Sequence, residues 1–182
     1  MLDLMPKKME TSFEDNNYKT DIIAGMGLFK TSIIAKVGQE NITHSVKMLN
    51  KKYASTLNHN DIEKINPELY GTEFKETGEK KIIAGYKCKE VIVLKDNVEK
   101  FKLYYTEEIE IENPNKSTPF ERIPDVLMEY EMVNYDIQMH FIADEVFKKE
   151  ITKEDLDIGE GYEMVSIDRL SKEMQSIFDK VK

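Results

Sequence analysis

Apolar and polar side chains alternate with a period of two residues through most of this chain. Met9, Thr11 and Phe13, for example, share one face of their segment, with charged and hydroxyl side chains between them. This alternation is typical of half-buried β-strands. Turn-forming Asn, Asp and Gly residues separate about nine or ten such runs. Strands and helices do not alternate, which argues against a parallel doubly wound sheet. We therefore predict a mainly β (α+β) fold built on a curved antiparallel sheet or open half-barrel.

Two segments have helical rather than strand character. Residues 57–69 contain Asn60 as a candidate N-cap and Pro67 as a stop, and predict a short helix near 60–66. The chain closes with an amphipathic helix that Ser166 or Asp168 can cap. Its apolar stripe is expected to dock across one face of the sheet, and consists of Leu170, Met174, Ile177, Phe178 and Val181.

A proline-rich segment interrupts the second half of the chain. Pro114, Pro119 and Pro124 lie within fourteen residues that carry no strand pattern, so we predict a long loop. Long loops in compact domains are often functional. We expect residues 112–124 to border the opening of any cavity.

Composition limits the partners. A chain of 182 residues with 40% hydrophobic residues suits a single domain, residues 1–182. The net charge of −9 disfavours nucleic acid and anionic membrane surfaces unless a local basic patch exists, and the lysine pairs are scattered and flanked by acids. No apolar run is long enough to predict a transmembrane segment. The first ten residues do not resemble an export signal.

Cys88 is the single cysteine, within a β-branched apolar run at residues 80–96. A catalytic cysteine needs a nearby base, whereas a free cysteine on a strand usually packs as a small apolar side chain. We expect Cys88 to lie in the core. Strict alternation would place Glu90 on the face of Cys88, so we predict either a bulge near Lys89 or Glu90 or a sheet that is covered on both faces after residue 90.

No catalytic, cofactor or metal site is predicted. His44, His59 and His140 are not spaced as metal ligands. The Gly-Met-Gly at residues 25–27 lacks the third glycine and the helix of a dinucleotide-binding loop.

Methionine is abundant, with ten residues against no tryptophan. Methionine is flexible and polarizable, and adaptable apolar binding surfaces use it heavily. The alternative is that it fills the space between a sheet and a helix. On the first interpretation, the candidate ligand-binding residues that line an apolar face are Met128, Tyr130, Met132, Met139 and Phe141.

Several stretches carry a family resemblance, the most specific being the Lys-Ile-Ile-Ala-Gly-Tyr-Lys-Cys of residues 81–88. Over residues 5–165 the chain resembles a family of uncharacterised exported bacterial proteins with a lipoprotein-carrier-like (LolA-like) fold. The resemblance implies an open antiparallel barrel with an apolar concave side covered by helices. It also implies a cleaved leader and a place in the periplasm or at the outer membrane. It supplies no catalytic residues, and the fold alone does not fix function.

Three functions follow as hypotheses. The first is a non-enzymatic envelope protein that shelters a lipid, an acyl chain or a lipoprotein on the concave face of the sheet. The second is an enzyme for a small hydrophobic substrate, with Tyr86, Tyr130, His140 or Glu129 as acid or base. The third is a structural or interaction module of the cell envelope whose sheet interior is filled. The sequence does not fix the oligomeric state.

Overall fold

A computed structural model of the chain describes residues 8–134 and 137–178, without the side chains of residues 26, 134, 137, 177 and 178. The chain divides into two compact units. The first unit consists of Met1–Asp61 with Glu150–Lys182, and the second of Ile62–Lys149. The expectation of a single domain stays a prediction.

The described residues form eleven strands, two α-helices and one 3-10 turn at Gly25–Gly27. The helices are α1 (His59–Ile65) and α2 (Ile167–Phe178). The strands are β1 (Lys8–Glu14), β2 (Asn17–Ala24), β3 (Phe29–Ala35), β4 (Ile42–Met48), β5 (Lys51–Leu57), β6 (Glu73–Ile83), β7 (Tyr86–Lys95), β8 (Val98–Thr106), β9 (Val126–Asn134), β10 (Ile137–Ile142) and β11 (Glu163–Met164).

The strands lie in two sheets. In the first unit the order is β1-β2-β3-β4-β5-β11, with antiparallel neighbours except that β11 runs parallel to β5. In the second unit the order is β10-β9-β8-β7-β6 and all neighbours are antiparallel. The mainly β, α+β fold class predicted from the alternation is confirmed, with the strands divided between two sheets.

Both predicted helices are present. Helix α1 begins one residue earlier than expected because Asn58, not Asn60, caps it. The Asp61 amide donates to Asn58 Oδ1 at 3.0 Å, and the Asn58 amide donates to Asp61 Oδ2 at 3.1 Å. This reciprocal pair satisfies two amides at the start of the helix.

Helix α2 is capped by Ser166, whose Oγ accepts from the Arg169 amide at 3.3 Å. The helix packs against β5, and Leu170 and Met174 of the predicted stripe are buried. The side chains of Ile177 and Phe178, and all of Val181, lie outside the described residues. Within the described part of the chain no helix is long and apolar enough to span a membrane.

Strand β7 explains the irregular pattern seen around Cys88. Cys88 is fully buried, which confirms the expectation that it packs in the core. The β-bulge lies on the neighbouring strand β6, between Glu76 and Lys80, and not at Lys89 or Glu90. Strand β7 is instead covered on both faces, because Glu90 on one side and Val91 on the other are both buried.

Candidate functional site

Four of the five predicted lining residues share one face of the β9–β10 hairpin. Tyr130 lies directly opposite Phe141, and Met132 directly opposite Met139. Directly paired residues of antiparallel strands project to the same side of the sheet. All four side chains are half-buried. We call these four residues the aromatic–methionine face.

The proline-rich loop packs onto this face through Phe120. The Phe120 ring centroid lies 5.4 Å from that of Tyr130, and Tyr130 lies 5.2 Å from Phe141. Phe74 and Phe101 also contact Phe120, at 6.4 and 6.5 Å. Phe120 itself is only 2% exposed. It is therefore the centre of an aromatic cluster that joins three strands to the loop.

The loop is held in shape by its own polar side chains. Asn115 donates from Nδ2 to the carbonyl oxygens of Ile123 and Asp125, both at 2.8 Å. Thr118 donates to the Asn115 carbonyl at 2.7 Å and accepts from the Phe120 amide at 3.1 Å. These hydrogen bonds pair backbone groups that have no partners on a neighbouring strand, and they fix the position at which Phe120 packs onto the sheet.

Met128, the fifth predicted residue, lies in a different cluster. The register between β8 and β9 shifts, with Tyr104 opposite Glu129 but Tyr105 opposite Leu127, which leaves Met128 as the extra residue of a bulge. Met128 is 2% exposed and packs with Cys88, Ile83 and Val126. Simple alternation along β9 could not reveal this, because the bulge breaks the period.

The opposite face of the same sheet carries a polar row. Glu90, Tyr104 and Glu129 are neighbours in register on β7, β8 and β9. The Tyr104 hydroxyl donates to Glu90 Oε2 at 2.6 Å. Both carboxylates are well covered, since the side chains of Glu90 and Glu129 are 7% and 12% exposed.

Basic side chains from three strands contact the two carboxylates. Lys102 Nζ lies 3.1 Å from Glu90 Oε1, and Lys81 Nζ lies 2.5 Å from Glu129 Oε2. Lys81 Nζ also lies 3.6 Å from the centroid of the Tyr104 ring. His140 Nε2 contacts Glu129 Oε1 at 3.1 Å. The polar row and these basic side chains thus link all five strands of the second sheet.

The electrostatics of the row favour a structural role for its centre. Hydrogen bonds from Tyr104 and then Lys102 lower the pKa of Glu90. The same bond to Glu90, with burial, raises the pKa of Tyr104 to about 12. Efficient general acids and bases titrate near the working pH. Glu90 and Tyr104 are therefore poorly suited to proton transfer near neutrality.

Of the four acid–base candidates, the structure brings together His140 and Glu129. Tyr130 lies on the opposite face of the hairpin, and Tyr86 packs against the cluster around Cys88. One signal of the buried carboxylate was present in the sequence, since Glu90 interrupts an apolar run. The partners Tyr104, Lys81 and Lys102 carried no such signal. Among the described residues, no three His, Cys, Asp or Glu side chains are placed to hold a metal ion.

Comparison with known proteins gives one structural likeness. No protein-family model and no curated protein matches the chain. The solved "Structure of PNGF-II in C2 space group" is similar over 92% of this chain, with a TM-score of 0.53 and 14% identity. The chain spans only 32% of that protein's length. At this identity the likeness is one of fold, and PNGF-II is a protein that contains a unit folded like this chain.

Proposed function

We propose that this protein is a non-enzymatic binding protein that shelters an apolar ligand, such as a lipid, an acyl chain or a lipoprotein, on the aromatic–methionine face. The observation that carries the proposal is the pairing of Tyr130 with Phe141 and of Met132 with Met139 on one face of a hairpin. These side chains are half-buried rather than sealed in the core, so apolar area remains for a ligand to cover.

The position of the hairpin supports this function. Strand β10 ends the second sheet, so Met139 and Phe141 lie on an edge strand. The segment that follows exposes further apolar side chains, with Phe147 57% and Val146 37% exposed. Contiguous exposed apolar side chains are typical of ligand and partner surfaces. Methionine adapts its shape to different chains, which suits a ligand class defined by apolar area.

The chemistry of the opposite face also supports binding over catalysis. Glu90 and Tyr104 are tied to each other, and their pKa values are displaced away from neutrality. Such a row holds strands in register. The aromatic–methionine face is then the side of the sheet with apolar area that a ligand can cover. The resemblance to exported LolA-like proteins agrees with an apolar ligand. On that basis we propose the periplasm or the outer membrane as its location.

Native mass spectrometry of protein purified from its host tests the proposal. We expect a co-purifying apolar species that is depleted in Met139→Ser. Val133→Ser, on the other face of the same hairpin, is the matched control and should keep the ligand. Absence of any bound species, together with failure to bind a fatty-acid probe, would refute the proposal.

A second candidate function is an enzyme for a small hydrophobic substrate. The contact of 3.1 Å between His140 and Glu129 favours it, because a carboxylate that orients an imidazole is a common general-base arrangement. The His140 side chain is 48% exposed, so a substrate can reach it. His140→Gln should then abolish turnover of a metabolite at unchanged melting temperature. An unchanged metabolite profile in a deletion strain complemented with His140→Gln would exclude this function.

A further inference from the structure

Four lysines that are scattered in sequence meet in one row of the first sheet. The register pairs Lys8 with Ile23, Ile23 with Lys30, Lys30 with Lys47, and Lys47 with Lys52. Directly paired residues point to the same face, so the row crosses β1 to β5 on one side of the sheet. A basic patch therefore exists in a chain whose net charge is −9.

This row lowers stability where lysines face each other. Like charges directly opposite in a sheet repel, and Lys47 has a lysine on each side. Asp21 offsets part of the repulsion, at 2.7 Å from Lys30 Nζ. Lys52 donates to the Glu160 carbonyl oxygen at 3.0 Å, a contact that leaves its charge in place. An anionic partner that lies over the row would relieve the repulsion that remains at Lys47.

Two leucines project just beyond the lysine row. Leu28 and Leu49 are 49% and 63% exposed, and the Leu49 amide donates to the Leu28 carbonyl oxygen at 2.9 Å. The two side chains therefore belong to one tip of the first unit. Ile23, within the lysine row, adds a third apolar side chain at 44% exposure.

Leu49 is also held in an unfavourable backbone conformation. It lies in the two-residue turn between β4 and β5 with φ of +50°, a region that glycine and asparagine occupy easily and leucine does not. Strain of this kind persists at functional positions more often than elsewhere. The turn therefore displays a leucine to solvent at a conformational cost that asparagine would avoid.

We propose that this end of the first unit docks on an anionic lipid bilayer. Leu28 and Leu49 enter the boundary between headgroups and acyl chains, while the lysine row contacts the phosphates. Leu49 follows Lys47 by two residues, and because it lies in the turn it extends at most about 7 Å beyond the row. Interfacial apolar groups are typically buried about 5–10 Å in a bilayer, with basic residues at headgroup level, so the spacing fits.

The leucines distinguish a bilayer from other anionic partners. A nucleic acid would use the lysines and would gain little from exposed aliphatic side chains, whereas a membrane uses both. The inference concerns the first unit, and the ligand face proposed above lies in the second. The two proposals can therefore fail separately.

Co-sedimentation of the full chain with vesicles tests the docking surface. Vesicles of equal parts phosphatidylglycerol and phosphatidylcholine should bind the protein at low salt, and pure phosphatidylcholine should not.

Leu49→Asn should weaken binding about tenfold through the lost apolar area. Because asparagine accepts a positive φ, the same variant should raise the melting temperature, so misfolding cannot explain its lost binding. Lys47→Glu should weaken binding at least tenfold, and added salt should act in the same direction.

Matched changes in the second unit serve as controls. Ile82→Asn removes an apolar side chain that is 67% exposed, and Lys100→Glu reverses an exposed lysine. Both should bind vesicles as the unchanged protein does. The proposal is overturned if the anionic vesicles bind no protein, or if the controls weaken binding as much as the row and tip variants. Vesicle binding that needs Lys47 but not Leu49 would also overturn it, because the lysines would then hold the surface without insertion of the leucines.

Discussion

Phe120 and Tyr130 pack edge to face, with ring centroids 5.4 Å apart and planes inclined at 67°. One ring comes from the long loop and the other from β9. Edge-to-face aromatic pairs contribute about 0.5–1.5 kcal/mol beyond their area burial. The pair therefore links the loop directly to the aromatic–methionine face.

Phe120→Ala should destabilise the protein strongly. Phe120 is buried and contacts three other aromatic rings, so its loss leaves a cavity and removes the anchor of the loop. We expect the free energy of unfolding to fall by about 3–5 kcal/mol in urea denaturation. Phe147→Ala, at a side chain that is 57% exposed, should change it by less than about 0.5 kcal/mol. Equal effects of the two changes would contradict the packing described for Phe120.

Stability should fall in mild acid because of His44. Burial lowers the pKa of His44 from 6.5 to about 4. Between these pH values His44 is protonated in the unfolded state and neutral in the folded state. The contribution of neutral His44 is therefore complete above about pH 6.5 and is lost as the pH falls toward 4, by roughly 3 kcal/mol in total.

Urea denaturation between pH 7 and pH 4.5 measures this dependence. His44 Nε2 lies 2.8 Å from Thr31 Oγ1, which also lies 3.2 Å from the Ser45 carbonyl oxygen. The side-chain amide of His44→Gln can keep a hydrogen bond to Thr31 without titrating. Its stability should vary less with pH over this range than that of the unchanged protein. Identical slopes for the two proteins would contradict a buried neutral histidine.

Removal of helix α2 should destabilise the first unit. Leu170 is fully buried and Met174 is 3% exposed, and the helix packs against β5. Leu170→Ala should lower the free energy of unfolding by about 2–5 kcal/mol, and truncation after Asp168 should lower it further. Lys172→Ala, at an exposed position of the same helix, is the control. A truncated chain of unchanged stability would show that the helix serves a partner and not the fold.

The Cys88 thiol should be inert in the folded protein. Cys88 is fully buried, and burial raises the pKa of its thiol. Reaction with a thiol reagent requires thiolate and access. We expect the reagent to modify Cys88 negligibly in native buffer and completely in denaturant. The absorbance of the thiolate that the reagent releases measures the reaction. Rapid labelling of the native protein would restore Cys88 as a candidate reactive centre.

The sequence predicted features that depend on local pattern. Alternation is a property of each strand, so it identified the β-rich fold and the shared face of Tyr130 and Met132. Cys88 was expected in the core because a free cysteine on one face of a strand usually packs as a small apolar side chain. Helix α2 was predicted from the spacing of Leu170 and Met174. An apolar stripe of helical period is expected to pack against another element.

Features that depend on register could not be predicted. The row that joins Lys30, Lys47 and Lys52 exists only because three strands pair in one alignment, and a shift of one residue would disperse it. The partnership of Glu90 with Tyr104 likewise needs the alignment of β7 with β8. Bulges could not be predicted either, because nothing in the sequence distinguishes the extra residue Met128 from its neighbours.

Titration of an environment-sensitive fatty-acid probe tests the central claim, that the aromatic–methionine face binds an apolar ligand. Phe141→Asp places a charge on this face, and Ile142→Asp places the same charge on the opposite face of the same strand. We expect saturable binding to the unchanged protein and to Ile142→Asp, and loss of binding in Phe141→Asp. Absence of saturable binding to the unchanged protein, or equal binding by the two variants, would contradict the account.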